Sequence, residues 1–322
     1  MSQVYDWKRF WCSRSGKINL TGFGYLYDPD TDFGRHFNPD LVTFDEIAHI
    51  PCLALLGEPG IGKSSAIKAE KEKIAGRIKQ EGSDLLWLDL RACGTEQRLV
   101  DKLFDSPKFK AWSQGDYGLY VFLDSLDECL LRVNTTAALL VDELSSNYSD
   151  KLERLYFRIA CRTADWGSSL EQGLKELWGK ENVGVYELAP LRRVDIASAA
   201  QTEGLDENAF LEAIEQQEVA PLAIKPITLN FLVNTYCKNG SLPTKQTELY
   251  LRGCRLLCEE ANENRRDARL TGNLTADQRM VIAARIATVT VFCNRYAVWM
   301  NIDQGDVLKE DVVIRELVSG TE

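Results

Sequence analysis

Histidine is nearly missing from this chain: two occur in 322 residues, beside only three methionines. Nine cysteines are present, but none form a CxxC pair and no histidine is placed to complete a zinc site with them, so the spacing that builds one is lacking. The cysteines read instead as reduced, mostly buried thiols of a cytosolic protein. Excess basic charge is lacking too. There are 38 Lys and Arg against 48 Asp and Glu, a formal net charge of −10. That balance argues against a general nucleic-acid footprint, because neutralising phosphates needs clustered cations that acids do not outnumber; it leaves room for a local basic patch only. No run is long enough to span a membrane. The most apolar stretch, Met280–Cys293, is interrupted by Arg285 and falls short of the roughly 20 residues a span requires. The opening MSQVYDWKRFW mixes charges with aromatics and has no apolar h-region, so it does not read as a signal peptide.

What is present is the composition of a globular chain, 45% hydrophobic and 27% charged, long enough for a core domain and a second lobe. Residues 1–48 are rich in Gly, Asp, Asn and aromatics (GFGYLYDPDTDFGRHFNPD), which is turn chemistry with anchoring side chains, and they read as an irregular N-terminal lead-in. Residues 49–190 alternate short apolar runs (CLALL, LLWLDL, LYVFLD, LYFRIAC, VGVYEL) with helical stretches over Lys63–Arg77, Thr95–Phe104 and Thr136–Ser145. Continuous apolar strands separated by amphipathic helices predict a parallel sheet covered on both faces, an α/β fold. Residues 191–322 carry apolar positions at three- and four-residue spacing over Asp195–Gln201, Glu207–Gln217, Thr228–Tyr236, Glu248–Glu260 and Ala276–Ala287, which predicts a helical lobe.

The strand CLALL runs into Gly57-Glu58-Pro59-Gly60-Ile61-Gly62-Lys63-Ser64, followed by Ser65, and this fits GxxxxGK[ST] at the opening of a helix. Glycines let the backbone turn its N–H groups toward phosphate oxygens, the helix N-terminus adds a favourable dipole, Lys63 reaches the β and γ phosphates, and Ser64 ligates Mg²⁺. At average residue frequencies the four fixed positions arise in roughly one random chain per hundred, and the flanking strand and helix narrow that further. The predicted ligands are therefore ATP or ADP with Mg²⁺. About sixty residues on, Leu119–Leu123 ends in Asp124-Ser125-Leu126-Asp127-Glu128. A carboxylate at the end of a buried strand beside a P-loop suits Asp124 to the Mg²⁺ site, while Asp127 and Glu128 can orient and deprotonate an attacking water; which of the two is the base is left open. Alternatively, an acidic DxxDE run is the first turn of a following helix, favoured by its dipole. The next strand ends in Arg162, placed to reach a γ-phosphate, and Arg91 after LLWLDL is a weaker candidate for that task; each also suits a surface ion pair.

Taken together, GEPGIGKS, DSLDE, IACRT, LAPL, KPITLNFL and LPTKQTELY resemble the NACHT group of STAND NTPases, relatives of the AAA+ ATPases, over about Ile50–Glu260. The resemblance implies an additional-strand P-loop sheet, a small helical lobe and a winged-helix-like segment, with Arg162 as the sensor on its strand. It also implies that Pro226 packs near the adenine, although Pro equally suits the first position of a helix. Two departures stand out. Some members place a winged-helix histidine on the β-phosphate, but His36 and His49 both precede the P-loop. Neither an effector domain nor a repeat-rich sensor is evident, as in a fragment or in a protein that works with partners.

The resemblance implies a slow signalling ATPase: closed with ADP, open with ATP, self-associating when activated, its trigger and effector unnamed, in bacterial settings by analogy an anti-phage defence protein. The alternatives are an AAA+-like remodelling ATPase, which needs a trans-acting arginine finger, and a nucleotide-gated scaffold without turnover, against which intact Asp127 and Glu128 weigh. No Arg-rich lid supports a nucleotide kinase, and the lack of a guanine-reading NKxD favours adenine.

Overall fold

A computed structural model describes residues 5, 7–93, 95–129, 133–259 and 274–293, with the backbone of 298–299 and 312–313. Two compact units result, Met1–Leu249 and Tyr250–Glu322. The first is built on a seven-stranded sheet: β1 (Trp11–Ser13), β2 (Leu41–Val42), β3 (Cys52–Gly57), β4 (Asp84–Asp89), β5 (Leu119–Asp124), β6 (Leu155–Arg162) and β7 (Val183–Leu188), in the order β2-β1-β7-β3-β6-β5-β4. β7, β3, β6, β5 and β4 run parallel, and β1 is antiparallel to both neighbours. The helices are α1 (Asp32–Phe37), α2 (Phe44–Ile47), α3 (Lys63–Gln80), α4 (Glu96–Leu103), α5 (Pro107–Gln114), α6 (Val133–Tyr148), α7 (Ser168–Trp178), α8 (Arg193–Thr202), α9 (Glu207–Gln216), α10 (Ala220–Ala223), α11 (Pro226–Asn239), α12 (Gln246–Cys258) and α13 (Ala276–Phe292).

The apolar runs become central strands because helices cover both faces. Every residue of β3 and of β5 is buried. Cys52, Ala54 and Leu56 face one apolar layer with Leu119, Val121, Leu123 and Trp112, while Leu53 and Leu55 face the other with Ile67, Ile74, Ile78 and Phe122. The edge strand β4 is only half-buried and carries Asp84 and Asp89 at its ends, charges that discourage pairing with a further strand. β6 lies between the P-loop strand β3 and the acidic strand β5, the arrangement that the resemblance implies.

Three readings need correction. The lead-in is not irregular throughout: it supplies β1, β2, α1 and α2, and Trp11 is fully buried. Strands of three and two residues have no readable periodicity, and β1 is made by long-range pairing with β7. The connections from β4 to β5 and from β6 to β7 also hold α5 and α7, for which no helix was expected. α5 starts on a Ser106 cap with Pro at its first turn, and α7 buries Leu170, Leu174 and Trp178 on one face. Finally, compactness divides the chain after Leu249 rather than near 190, so α8–α11 belong with the sheet. The positions of α8, α9 and α11 agree with the helical periodicity. In the second unit, the C-terminal part of α12 and α13 are described, with β8 (Val298–Trp299) and β9 (Val312–Val313) paired in parallel. The winged-helix-like segment is not seen among the described residues, and the rest of the region where it is expected lies outside them. No described helix is long and apolar enough to cross a membrane. All nine cysteines are free, five of them buried.

Candidate nucleotide-binding site

β3 ends at Gly57 and α3 begins at Lys63, so the loop between them delivers the chain from a buried strand to a helix N-terminus. Gly60 (φ 75°) and Gly62 (φ 89°) are both left-handed, a conformation open to glycine and costly for residues with a Cβ. Ile61 is buried and its N–H donates to the Glu58 carbonyl at 3.3 Å, closing the turn. The N–H groups in the first turn of α3 have no acceptor within the helix, which suits this helix start to an anion. Glu58 and Pro59 are exposed on the loop, and Ser65 is exposed in the first turn of α3.

Two side chains sixty positions apart meet at this loop. Ser64 Oγ donates to Asp124 Oδ1 at 3.0 Å. Asp124 Oδ2 is buried with no hydrogen-bond partner. Burial pushes the Asp124 carboxyl above the usual range; the Ser64 hydrogen bond opposes the rise, and Asp89, its register neighbour on β4, reinforces it. A hydroxyl beside an orphaned carboxylate oxygen fits the protein side of an Mg²⁺ site. Among the described residues no cluster of three or more His, Cys, Asp or Glu could hold a metal unaided, so a cation here needs phosphate oxygens to complete its shell.

Beyond Asp124 the chain turns through Ser125, a non-glycine residue at φ 63° and ψ 51°, a strained state of the kind that gathers at functional sites. The turn brings Asp127 and Glu128 back over the P-loop. Lys63 Nζ stands 3.9 Å from Asp127 Oδ1. Arg162, at the end of β6, gives its backbone N–H to Asp127 Oδ1 at 2.9 Å, sets Nε 2.8 Å from Asp127 Oδ2, and donates from Nη2 to Glu128 Oε1 at 3.2 Å. Burial pushes the Asp127 carboxyl up, and the charges of Lys63 and Arg162 pull it back. The Asp127 side chain is only 1% exposed, whereas that of Glu128 is 21% exposed, which decides which carboxylate water can reach.

The predicted residues Lys63, Ser64, Asp124, Asp127, Glu128 and Arg162 are thus gathered at the carboxyl ends of β3, β5 and β6. Arg91 is not among them in the same sense: its guanidinium is committed to Asp89, with Nε 2.8 Å from Oδ1. Pro226 occupies the first turn of α11 and also abuts the P-loop, since a Cβ on Gly62 would stand 3.1 Å from its Cγ. Three neighbours went unread. Ile227 packs on Gly60, Lys225 ion-pairs with Glu58, and Arg9 donates to the Ile61 carbonyl. KPITLNFL contains Lys225 and Ile227 but does not reveal their contact with the loop, and nothing local marks Arg9.

No family model matches the chain, and no curated protein matches it. Solved structures similar to it include the RuvB Holliday junction branch migration motor of Thermotoga maritima, 14% identical over 76% of this chain and 70% of that one, TM-score 0.38. Cdc6p of Pyrobaculum aerophilum is 13% identical over 77% and 72%, TM-score 0.41. PCH-2 of C. elegans is 16% identical over 66% and 62%, TM-score 0.41. Likenesses this distant carry no functional weight, and the fold rests on the strand order and the loop after β3.

Proposed function

We propose that this chain binds Mg-ATP and Mg-ADP and hydrolyses ATP slowly, as a regulatory switch. The observation that carries the reading is the Ser64–Asp124 hydrogen bond at 3.0 Å with Lys63 beside Asp127. This joins hydroxyl, carboxylate and ammonium at the mouth of a left-handed glycine loop. The backbone N–H groups of residues 60–64 and Lys63 would hold the β and γ phosphates, and Ser64 with Asp124 would hold Mg²⁺. When bound, Mg²⁺ supplies charge neutralisation across the phosphates. Glu128, the more accessible carboxylate, takes a proton from water as its oxygen bonds to the γ-phosphorus and the bond to the bridging oxygen breaks. Asp127 orients Lys63 and Arg162, and Arg162 offers its charge to the γ-phosphate from within the same chain. In this reading residues 49–190 carry the phosphates and residues 191–322 answer to them, with Pro226 and Ile227 resting on the loop.

The finer assignment, a STAND switch of NACHT type that self-associates in its ATP form and serves bacterial anti-phage defence from the cytoplasm, rests on GEPGIGKS with DSLDE and on analogy. Its competitor is a remodelling ATPase that takes an arginine from a second copy. A cation in cis, Arg162, favours the switch.

Lys63→Ala tests the core of the proposal. The substitution removes a charge-assisted phosphate contact of about 1.5 to 3 kcal/mol, so Mg-ATP affinity should fall by at least about tenfold. Isothermal titration of the variant against wild type reads this out, and unchanged affinity would exclude the loop as the phosphate site.

A further inference from the structure

A phosphate cradle works only while its N–H groups face inward, so the carbonyls of the same loop must find donors on the outside. The carbonyl directly before Gly62 belongs to Ile61, and it is taken by Arg9, whose Nη1 and Nη2 both lie 3.1 Å from the oxygen. The same Nη2 donates to the Ala189 carbonyl at 2.8 Å. Ala189 follows β7, and its N–H donates to the Phe10 carbonyl at 2.9 Å, next to β1. One guanidinium therefore ties the P-loop to the N-terminal strand and to the end of the strand it pairs with.

The setting is costly for a merely structural tie. Arg9 is 7% exposed, its hydrogen bonds all go to carbonyls, and among the described residues no carboxylate forms an ion pair with it. Burying a guanidinium without a carboxylate partner is unfavourable, and the desolvation pulls its pKa down to about 10, which leaves it charged at neutral pH. Its Nη1 lies 3.0 Å from where a Cβ on Gly62 would stand, directly behind the residue that opens α3.

We infer that Arg9 is a positioning residue for nucleotide: by holding the Ile61 carbonyl outward it keeps Gly62 left-handed and the cradle N–H groups inward, and it couples phosphate binding to the docking of β1. This inference rests on the P-loop reading above. Because coupling is reciprocal, nucleotide that favours the clamped loop also favours the β1–β7 pairing, and a loosened β1 weakens nucleotide binding.

The test combines Mg-ADP titration with amide hydrogen exchange of residues 9–14 and 183–189, on wild type, Arg9→Ala and Arg9→Gln. The Gln amide can serve one of the two carbonyls and carries no charge. Both variants should bind Mg-ADP about 10- to 100-fold more weakly, the size of loss when a supporting partner of a binding group is removed, with Gln the milder. Mg-ADP should slow exchange of β1 in wild type. In the variants at saturating Mg-ADP it should slow exchange at residues 62–66 while leaving β1 unchanged, a loss of coupling that a passive staple would not produce. Should Arg9→Ala fail to fold, Arg9→Gln carries the same two readouts. Wild-type affinity with wild-type slowing of β1 in a folded variant overturns the inference. Failure of wild type to bind Mg-ADP, or undiminished binding by Lys63→Ala, sinks the P-loop reading and this inference with it. Loss of binding in Lys63→Ala alongside unchanged Arg9 variants sinks the inference alone.

Discussion

Asp124 holds the most informative proton in the molecule. Burial raises its folded pKa above the unfolded value, so between those values the native state binds more protons than the unfolded chain. Its contribution to stability is present at low pH and is lost as pH rises through the folded value. Once ionised, the carboxylate, with Oδ2 buried and without a partner, works against the ligand-free fold. Asp124→Asn removes that charge and keeps an acceptor for Ser64. The variant should therefore melt no lower than wild type without ligand at about pH 7.5, and its advantage should shrink on acidification toward about pH 4.5. It should at the same time lose the Mg-dependent part of the melting shift produced by ATP. Thermal melts across that range, with and without Mg-ATP, read both effects. Ligand-free collapse of the variant at neutral pH would assign Asp124 a structural task instead.

Between elements, the decisive packing is that of α11 on the P-loop. A Cβ added to Gly60 would stand 2.4 Å from Ile227 Cγ2, at a φ of 75°. Gly60→Ala thus meets both a clash and a left-handed backbone, the latter alone costing about 1 to 2 kcal/mol. It should weaken Mg-ADP binding by at least about tenfold, and Ile227→Ala added to it should restore part of the loss by relieving the clash but not the strain. Titration of the four proteins in a double-mutant cycle measures the coupling; additive losses would mean that α11 does not bear on the loop. This contact also marks how far the sequence could be read. β3, β5 and β6 were legible because strands buried on both faces read as near-continuous apolar runs, a pattern that the buried Arg158 interrupts only once in β6. The candidate residues at their ends stood out because GxxxxGK[ST] and DxxDE are local patterns. β1 and β2 were not, being too short to show a period. Nor were Arg9 and Ile227, which reach the loop across long stretches of chain: Arg9 and Ile61 are 52 positions apart, and no spacing rule encodes a tertiary contact.

At the scale of the whole molecule, the question is what a trapped ATP state does. Arg162 joins Asp127 and Glu128 to the end of β6, so in the proposed reading hydrolysis and γ-phosphate sensing would share one side chain. Replacing Asp127 with Asn and Glu128 with Gln removes the base and loosens the hold on Arg162, while leaving the glycine loop, Lys63, Ser64 and Asp124 in place. Such a protein should bind Mg-ATP and retain it. For a remodelling motor, blocked turnover is loss of work. For a switch, the ATP form is the active one, and moving its population from about 1% to about 99% takes roughly 5.5 kcal/mol of differential binding. Charge-assisted contacts to a γ-phosphate, at about 1.5 to 3 kcal/mol each, reach that with Lys63, Arg162 and Mg²⁺ together, and Arg162 released from two carboxylates is freer to make its share. The double variant should therefore self-associate with ATP at concentrations where wild type with ADP is monomeric. Light scattering at matched concentration in each nucleotide measures this. A double variant that holds ATP and stays monomeric in both nucleotides would count against the switch and leave the motor reading in its place.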